Sequence, residues 1–548
     1  MCRLISPYNF PGPYWYKGQT HCHSEVSDGS YSPKEVVEAY MNKGYQFVCL
    51  TDHSFDVGLN YPAPDPGLDG VVYIPSVEDG FASPNHLVGL DLDFQAIEQY
   101  HDIDGCRDSN RNGVDDADSL RSDLTQQRLD YFVEIQKAIG IVAHPNDRLG
   151  CEFEDLQNNS RYTGLDIYCG GVWSRDWWFR AIRSGIYRRI WGLASDDCHK
   201  ATDSNFTTFN RGWIVINSTK NPADYLGPGT TPDKKMLLKD HLVQSIKTGN
   251  FYAVIRSPGN DPSSGGPNDA GPRMQILLIG VGSSGVRELV GTPSTINVIV
   301  DLPGRISFLG GTYSSEAVQT LHAEEGKSAS YQPEDWVDWI VVALEQHRSD
   351  GQDYLAYSQP IFHEKYFSFE SASRPEYFMR HRNYLGELTE ASFHRRSMPA
   401  LDRGVQINTL RYLANYDYRD GTFRIVPGGL VGSNQSEPCV SLEALNCPGW
   451  FLRHQNFRLC LSQRSDDDLF KGDATFILRP GLLYGNANDP TWVSFESVNY
   501  PGYFIRESDA HLYLHRVEDE PPLNRFAAEA TFRVSRPLCE GIAFDVFC

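Results

Sequence analysis

The stretch His21-Cys22-His23 closes an extended run, Tyr16-Lys17-Gly18-Gln19-Thr20, and carries two imidazole side chains. In a β-strand successive side chains point to opposite faces, so residues two apart leave the same face. Two histidines at this spacing can hold one metal ion between them. A lone His-x-His pair is more often a surface feature, so the metal-site interpretation depends on the segments that follow.

Three later segments supply further candidate ligands, and each comes directly after a short apolar run. They are Thr51-Asp52-His53, Ala143-His144-Pro145 and Ser195-Asp196-Asp197-Cys198-His199. Apolar runs of this length are typical of parallel strands that are buried on both faces. In a β/α barrel the carboxyl ends of such strands share one face, which carries the chemistry. The ordered set therefore predicts a metal site at that face.

This ordered set resembles the PHP metallohydrolase superfamily, named for its polymerase and histidinol-phosphatase members. The resemblance covers roughly residues 12–255 and implies a distorted (β/α)7 barrel, taken here as residues 1–255, with two or three divalent ions. Carried over one residue at a time, it implies nine metal ligands: His21, His23, Asp28, His53, Glu78, His86, His144, Asp197 and His199. Asp196 stands beside Asp197, and either carboxylate could coordinate. Mixed imidazole and carboxylate ligands suit zinc, manganese or iron.

Length and charge limit the remaining functions. A chain of 548 residues is too long for one hydrophobic core, so a multidomain protein is expected. The formal net charge of −22 argues against nucleic acid and anionic membrane as partners, because both are bound by basic surfaces. No apolar run reaches the length of a transmembrane helix.

Residues 102–118 form an acidic insertion within the barrel segment. Asp108, Asn110 and Asn112 stand at positions 1, 3 and 5 of a calcium-binding loop, with Gly113 at the turn. Position 12 is Ser119, where such loops carry a glutamate, so a solvated acidic loop is the alternative. The insertion is therefore a candidate calcium site.

Residues 256–363 are predicted to form a linker followed by a small β-sandwich. Residues 257–272 are rich in Pro, Gly, Ser and Asn, which is typical of a linker. From Met274 to Phe362, short β-branched runs alternate with turn residues, which indicates strands. The segment loosely resembles the β-domain that follows the barrel in the carbaryl-hydrolase-like branch of the PHP superfamily.

The last third of the chain contains an internal repeat. Pro375–Arg380, Pro448–Arg453 and Pro501–Arg506 align without gaps. One copy cannot bury its apolar face by itself, so three β-rich copies predict a β-trefoil, taken here as residues 364–548. The repeats resemble the C-terminal arabinofuranose-binding domain of arabinofuranosidases, a family 42 carbohydrate-binding module.

In that family each sugar pocket combines an aromatic platform with a histidine and an aspartate. The resemblance therefore implies two pockets, formed by Tyr377, His381 and Asp420 in the first repeat and by Trp450, His454 and Asp473 in the second. The third repeat has Glu507 and Glu529 at the polar positions, which argues against a third pocket. The expected ligand is an arabinose-containing polysaccharide, and a trefoil that binds no sugar is the alternative.

Two features indicate a secreted glycoprotein. Asn-x-Ser/Thr sequons occur at Asn158, Asn205, Asn217 and Asn434. The chain has 12 cysteines, and several lie close enough in sequence to pair, namely Cys439 with Cys447 or Cys460, and Cys539 with Cys548. The first residues lack the apolar core of a signal peptide, so we expect a leader that was removed or lost.

The combination predicts a secreted metal-dependent hydrolase. Divalent ions within bridging distance lower the pKa of a shared water and bind the oxygens of the attacked group. No Ser-His-Asp or Cys-His pattern stands out, which favours attack by metal-activated water. The favoured substrate is a phosphomonoester or phosphodiester attached to a glycan. The alternatives are a carboxylic or carbamate ester hydrolase, an arabinofuranosidase, and a glycan-binding protein without catalytic activity.

Overall fold

The computed structural model describes most of the chain in two compact units. The described residues are 3–8, 12–53, 63, 65–79, 86–92, 129, 132–133, 136–146, 153, 156, 162–183, 190–201, 208–257, 271–279, 295–313, 317–334, 336–348, 351–390, 419–432, 437–483, 491–517, 523–535 and 537–538. The N-terminal unit comprises mainly Ser6–Leu278 and Thr295–Phe362, and the C-terminal unit mainly His363–Ile542. The protein is multidomain, as its length predicts.

The first two thirds of the chain contain both helices and strands. Among the described residues, the helices are α1 (Pro33–Met41), α2 (Arg175–Arg183), α3 (Pro222–Leu226) and α4 (Pro232–Thr248). The strands are β1 (Arg3–Ile5), β2 (Tyr14–Gln19), β3 (Phe47–Leu50), β4 (Val72–Asp79), β5 (Leu87–Leu90), β6 (Ile139–Val142), β7 (Gly164–Cys169), β8 (Val172–Trp173), β9 (Trp191–Ala194), β10 (Gly212–Ser218), β11 (Tyr252–Arg256), β12 (Met274–Ile279), β13 (Thr295–Gly311), β14 (Gln319–Tyr331), β15 (Trp339–His347), β16 (Asp353–Ser358) and β17 (Ile361–Glu364). Within the described part of the chain, no helix is long and apolar enough to cross a membrane.

Strands β2 to β6 and β9 carry the predicted ligands to one edge of the sheet. β2, β3 and β4 run parallel to one another, as do β6, β7 and β9. β5 runs antiparallel to both of its neighbours, β4 and β6. An antiparallel strand begins at the edge where its neighbours end. The residue before β5 therefore reaches the same edge as the residues after β3, β6 and β9.

Buried apolar strands form the core beneath this edge. Every residue of β3, β6, β7 and β9 is buried, as expected for strands covered on both faces. Helix α1 covers part of this core and begins with a capping box. The backbone N–H of Ser32 donates to Glu35 Oε2 at 2.9 Å, and Ser32 Oγ accepts from the Glu35 N–H at 3.3 Å. The helix buries Tyr40, whose hydroxyl donates to Asp196 Oδ2 at 3.0 Å.

The segment predicted as a separate β-sandwich continues the hydrogen-bonded network of the N-terminal unit. β11 pairs antiparallel with β10 and with β16, and β16 pairs with β15. β15 also pairs with β13, which forms a long hairpin with β14. The pairing with β16 covers an edge of β11 whose N–H and C=O groups would otherwise be unpaired.

The C-terminal unit contains a closed ring of strands and three hairpins. Its elements are β18 (Tyr366–Ser371), β19 (Tyr377–Arg382), β20 (Leu385–Glu390), β21 (Phe423–Pro427), β22 (Cys439–Ala444), β23 (Trp450–Gln455), β24 (Arg458–Gln463), β25 (Phe476–Pro480), β26 (Trp492–Ser497), β27 (Tyr503–Ser508), β28 (His511–Arg516), β29 (Phe532–Ser535), α5 (Asp468–Asp473) and α6 (Leu523–Glu529). The ring runs β18, β21, β22, β25, β26 and β29, and β29 pairs again with β18. Each sequence repeat supplies two ring strands and one hairpin.

The three hairpins meet one another and turn in the same way. They are β19–β20, β23–β24 and β27–β28, and they contact each other through β20, β24 and β28. Each turns through two residues with positive φ, Asn383-Tyr384, Asn456-Phe457 and Asp509-Ala510. Such turns match the natural twist of the paired strands. The sequence repeat is therefore also a structural repeat.

Candidate functional site

The structure brings all nine predicted metal ligands together at one edge of the N-terminal sheet. Their ligand atoms form three overlapping groups, and within each group these atoms lie within 4.8 Å of one another. The open group is His23, Asp28, His53 and His199; the central group is His21, His23, Glu78 and Asp197; the deep group is Glu78, His86 and His144. His23 and Glu78 each belong to two groups. The arrangement suits several ions that share ligands.

The carboxylate of Glu78 is the centre of the site. It is buried at the end of β4, and five imidazole rings approach its two oxygens. The distances from ring nitrogen to carboxylate oxygen are 3.2 Å for His21, 3.2 Å for His23, 3.4 Å for His53, 2.8 Å for His86 and 3.0 Å for His144. One carboxylate needs far fewer partners than this. The crowding therefore indicates that the rings are arranged for cations, not for Glu78 alone.

The electrostatics of the site fit a set of divalent cations. Burial opposes ionisation of Glu78, yet the surrounding imidazoles, His21 foremost, hold its pKa well below the usual range. Burial by itself would lower the pKa of His23, but contacts with Asp197 and Glu78 outweigh it and raise the pKa to about 10. Two buried ring nitrogens, His86 Nε2 and His144 Nδ1, have no hydrogen-bond partner among the described residues. This surplus of nitrogen donors beside carboxylates is the ligand set that zinc, manganese and iron bind.

Solvent reaches the site from one side. The side chains of Asp28, His199 and Asp197 are 35%, 28% and 23% exposed. The other six predicted ligands are buried. The open group, with Asp28 and His199, is therefore the most solvent-accessible of the three groups.

Asp197, and not Asp196, faces the other ligands. Asp197 Oδ1 lies 3.1 Å from His23 Nε2 and 3.4 Å from His21 Nε2. Both oxygens of Asp196 are occupied by the backbone N–H groups of residues 210–212 and by the Tyr40 hydroxyl, at 2.7 to 3.0 Å. Burial raises the pKa of Asp196 to about 6 despite these donors. Asp196 is therefore a structural carboxylate that anchors the loop carrying Asp197.

Two of the nine residues have a left-handed backbone. His144 has φ of 24° and Asp197 has φ of 47°. Non-glycine residues in this region cost of order 1–3 kcal/mol and persist where the surroundings impose them. Both residues direct their side chains into the site. The strained backbone conformation is therefore what places these two side chains among the other ligands.

Asp52 is a supporting residue that sequence reasoning missed. It is fully buried and accepts hydrogen bonds from the N–H groups and hydroxyls of Ser24 and Ser27, at 2.7 to 3.2 Å. These bonds hold the turn that leads from His23 to Asp28. The sequence feature that could have identified Asp52 is its position next to the predicted ligand His53, in the segment Thr51-Asp52-His53.

In the C-terminal unit, the second predicted sugar pocket is assembled across two repeats. His454 Nε2 hydrogen-bonds with Asn499 Oδ1 at 3.0 Å, and Asn499 Nδ2 donates to Asp473 Oδ1 at 2.8 Å. Arg453 Nη2 donates to the other oxygen of Asp473 at 3.0 Å. The predicted His454 and Asp473 are thus brought together, linked by an asparagine of the third repeat.

The first predicted pocket repeats this arrangement. His381 Nε2 hydrogen-bonds with Asn446 Oδ1 at 2.8 Å, and Asn446 Nδ2 donates to Asp420 Oδ1 at 2.6 Å. Arg380 Nη2 donates to Asp420 Oδ2 at 2.8 Å. Sequence reasoning missed both asparagines, although each occupies the same place in its repeat, two residues before the aligned proline.

The third repeat departs from the pattern, as its glutamates predict. Glu507 Oε1 accepts from Ser373 Oγ at 3.0 Å and from Arg374 Nε at 3.2 Å. Glu529 Oε2 lies 2.6 Å from Arg506 Nη2. Ion pairs therefore occupy the place of the His–Asn–Asp chain.

The structure gives the ring contacts near these residues, and the assignment of Tyr377 and Trp450 as sugar platforms stays a prediction. Trp450 stacks on Tyr384, with ring centroids 5.1 Å apart. The ring beside His454 is that of Tyr500, at 5.2 Å and edge-on. Tyr377 packs against the core of the unit. Tyr500 comes from the next repeat, so the alignment of single repeats could not assign it to His454.

Three further expectations concern the secreted state and the calcium loop. No disulfide joins Cys439 to Cys447 or Cys460, so that predicted pairing is wrong. Asn217 is buried, and its Nδ2 donates to the carbonyl oxygens of Gly12 at 2.7 Å and Tyr14 at 3.0 Å, so its sequon is not accessible. The calcium candidates, residues 102–118 with Asp108, Asn110 and Asn112, lie outside the described residues. So do the other three sequons and the second predicted cysteine pair, and these stay predictions.

Comparison with known proteins gives a family for the C-terminal part of the chain. The model of the alpha-L-arabinofuranosidase B (ABFB) domain matches residues 387–534. Alpha-L-arabinofuranosidase B of Emericella nidulans is 33% identical over 117 residues, which is 21% of this chain and 21% of that protein. DNA polymerase/3'-5' exonuclease PolX of Bacillus subtilis is 53% identical over 38 residues, 7% of each chain. The chain thus spans a small part of the length of these relatives.

Among solved structures, a two-domain protein from Bacteroides vulgatus with a predicted PHP-like metal-dependent phosphoesterase is 15% identical, with a TM-score of 0.30. The match covers 62% of this chain and 94% of that one. A GH54 α-L-arabinofuranosidase is 14% identical, with a TM-score of 0.23, over 45% of this chain and 53% of that one. Residues 387–534 therefore belong to the alpha-L-arabinofuranosidase B (ABFB) domain family.

Proposed function

We propose that the N-terminal unit is a PHP-type (β/α)7 barrel that hydrolyses phosphoesters with the help of divalent metal ions. The observation that carries the proposal is the convergence of five imidazoles on the buried carboxylate of Glu78. The three overlapping ligand groups would hold two or three ions of zinc, manganese or iron. Such ions supply a Lewis acid for the substrate's oxygens and lower the pKa of water.

The protein's own residues determine where the substrate lies. The partly exposed Asp28, Asp197 and His199 line the accessible side, so the scissile group is placed against the open and central groups. The deep group is shielded from bulk solvent, because Glu78, His86 and His144 are all buried. Asp52 and Asp196 hold the two loops that carry the exposed ligands. The site is therefore open toward a substrate on one side and buried on the other.

A panel of substrates tests this proposal. The purified protein would be reconstituted with zinc, manganese or iron and assayed against aryl phosphomonoesters, phosphodiesters, carboxylic esters, carbamates and arabinofuranosides. We expect the phosphoesters to be cleaved fastest and His53→Ala to lose metal and activity together. Faster cleavage of carboxylic esters or carbamates would replace the phosphoesterase proposal with the ester-hydrolase alternative. Fewer than two equivalents of metal in the wild type would contradict the multinuclear centre.

We further propose that the C-terminal unit is a β-trefoil that tethers the enzyme to arabinose-containing polysaccharide. The His–Asn–Asp chains of the first two repeats offer donors and acceptors to sugar hydroxyls, and the adjacent arginines balance the aspartate charges. A furanose side chain presents few groups, so one pocket binds weakly. Two pockets on one polymer raise the affinity through effective concentration.

Affinity electrophoresis in gels that contain arabinoxylan tests the tether. We expect the wild type to be retarded, Asp420→Ala and Asp473→Ala to be retarded less, and the double variant to run freely. Asp466→Ala is the matched control, because its carboxylate is 83% exposed and lies outside the pocket. Equal retardation of the wild type and the double variant would make the unit a structural domain only.

We propose that the protein acts outside the cell, where such polysaccharide is found. The support is the match of residues 387–534 to the alpha-L-arabinofuranosidase B (ABFB) domain. Immunodetection in culture medium and in washed cells of the native host tests the location. Recovery of the protein from the cells alone would contradict it.

A further inference from the structure

Strand β7 supplies none of the nine predicted ligands, yet it carries a buried charge. All six of its residues, Gly164–Cys169, are buried, and Asp166 is 2% exposed. A buried carboxylate is costly unless hydrogen bonds or opposite charges compensate it. An aspartate in the middle of a buried strand therefore needs a specific contact that compensates its charge.

The contacts of Asp166 lead to His21. Asp166 Oδ1 accepts a hydrogen bond from Ser195 Oγ at 3.0 Å. Asp166 Oδ2 has no hydrogen-bond partner among the described residues and lies 3.6 Å from His21 Nδ1, slightly beyond hydrogen-bond distance. Ser195 thus fixes one oxygen and leaves the other directed at the imidazole.

The two nitrogens of His21 face different partners. Nε2 lies 3.2 Å from Glu78 Oε2 and 3.4 Å from Asp197 Oδ1, within the central group. Nδ1 faces the opposite way, toward Asp166 and toward Cys169 Sγ at 3.5 Å. A thiol is a weak acceptor, whereas a carboxylate is a strong one. The carboxylate is therefore the partner that determines which nitrogen of His21 carries the proton.

We propose that Asp166 is a positioning residue that keeps the proton of His21 on Nδ1 and so directs the Nε2 lone pair into the central group. The inference rests on the proposed function, because it assumes that the central group binds a metal ion. Metal-bound histidines commonly donate their other N–H to a carboxylate, which fixes the tautomer and the ring orientation. Loss of such a partner typically weakens metal affinity roughly 10- to 100-fold. Asp166 would serve His21 in this way.

A second reading of the same residues is a separate metal site formed by His21 Nδ1, Asp166 and Cys169, whose ligand atoms lie within 4.8 Å of one another. That site would need the His21 ring to lose its proton and bind ions at both nitrogens. The positioning role needs only a neutral ring. The two readings differ in the protonation of Nδ1, which can be measured.

Metal affinity and ring protonation together test the proposal. Zinc-loaded Asp166→Asn would be titrated with a competing chelator beside the wild type and Asp91→Asn. Asp91 is the matched control, because it pairs with Lys239 at 2.6 Å and contacts none of the nine ligands in the described contacts. We expect zinc to be bound roughly 10- to 100-fold more weakly by Asp166→Asn and equally by Asp91→Asn. Nitrogen-15 spectra of the histidines in the zinc-loaded wild type should show a proton on His21 Nδ1.

The outcomes separate this proposal from the proposed function. A wild type that binds no zinc contradicts the proposed function itself. A wild type that binds zinc, with Asp166→Asn retaining the same affinity, overturns the positioning role alone. A His21 Nδ1 without a proton in the zinc-loaded wild type also overturns it and supports the separate metal site. Should Asp166→Asn fail to fold, the spectra of the wild type decide, together with Ser195→Ala, for which we expect a smaller loss of affinity.

Discussion

Replacing Glu78 with glutamine distinguishes the metal content of the open group from that of the central and deep groups. Glu78 belongs to the central and deep groups but not to the open group. Glutamine keeps the size of the side chain and removes its charge and one acceptor oxygen. We therefore expect Glu78→Gln to lose the metal of the central and deep groups and to retain about one equivalent in the open group.

In the metal-free protein, the same substitution should lower the free energy of unfolding. The pKa of His23 is raised from 6.5 to about 10 in the folded protein. At pH 7 this shift corresponds to a stabilisation of up to about 4 kcal/mol. Asp197 supplies part of it, so Glu78→Gln should cost less than this total. Because the folded pKa is the higher one, the contribution is complete below about pH 6.5 and is lost as the pH rises through about 10.

Two measurements check these expectations. Elemental analysis after reconstitution and dialysis gives the metal content, and urea unfolding of the metal-free forms between pH 6.5 and 10 gives the stability difference. Glu38→Gln is the control, because Glu38 lies on the exposed face of α1 with a side chain 47% exposed. Equal metal content in Glu78→Gln and the wild type would refute the prediction that Glu78 is a ligand shared by the central and deep groups. A stability difference that persists unchanged to pH 10 would refute the electrostatic reasoning.

Gly170→Ala should weaken metal binding, because its added Cβ would lie 3.3 Å from Asp197 Oδ2. Gly171→Ala, also at positive φ but with open space around its Cβ, should cost of order 1–3 kcal/mol of stability and leave chelator competition unchanged. Asn217 should carry no glycan when the protein is made in a glycosylating host, since its buried Nδ2 is hydrogen-bonded, and mass spectrometry of its peptide checks this. Calcium should protect residues 102–118 from proteolysis, and Asp108→Ala should abolish the protection; equal cleavage with calcium and with chelator would leave an ordinary acidic loop.

The C-terminal unit shows how far a repeat can be interpreted from sequence. The aligned prolines and aromatics indicated three β-rich copies, and each copy forms two ring strands and a hairpin. The polar residues His454 and Asp473 were also recognisable, because both stand in the same positions as in the first repeat. Asn499 and Tyr500 were not recognisable as their partners, because they belong to the next copy. A pocket formed at the junction of two repeats cannot be derived from either repeat alone.

The sequence by itself determined the types and the order of the ligands in the N-terminal unit. His-x-His at a strand end, histidines after apolar runs and a closing Asp-x-His are local features, since the strand period and the burial of each run place those side chains at one edge. Only the tertiary structure distinguished Asp197 from Asp196, because the distinction depends on backbone N–H groups of residues 210–212. Only the tertiary structure brought Asp166 to His21, since β7 and β2 are remote in sequence. Supporting contacts of this kind depend on how strands pack, and the packing of strands that are remote in sequence cannot be derived from any single segment of the chain.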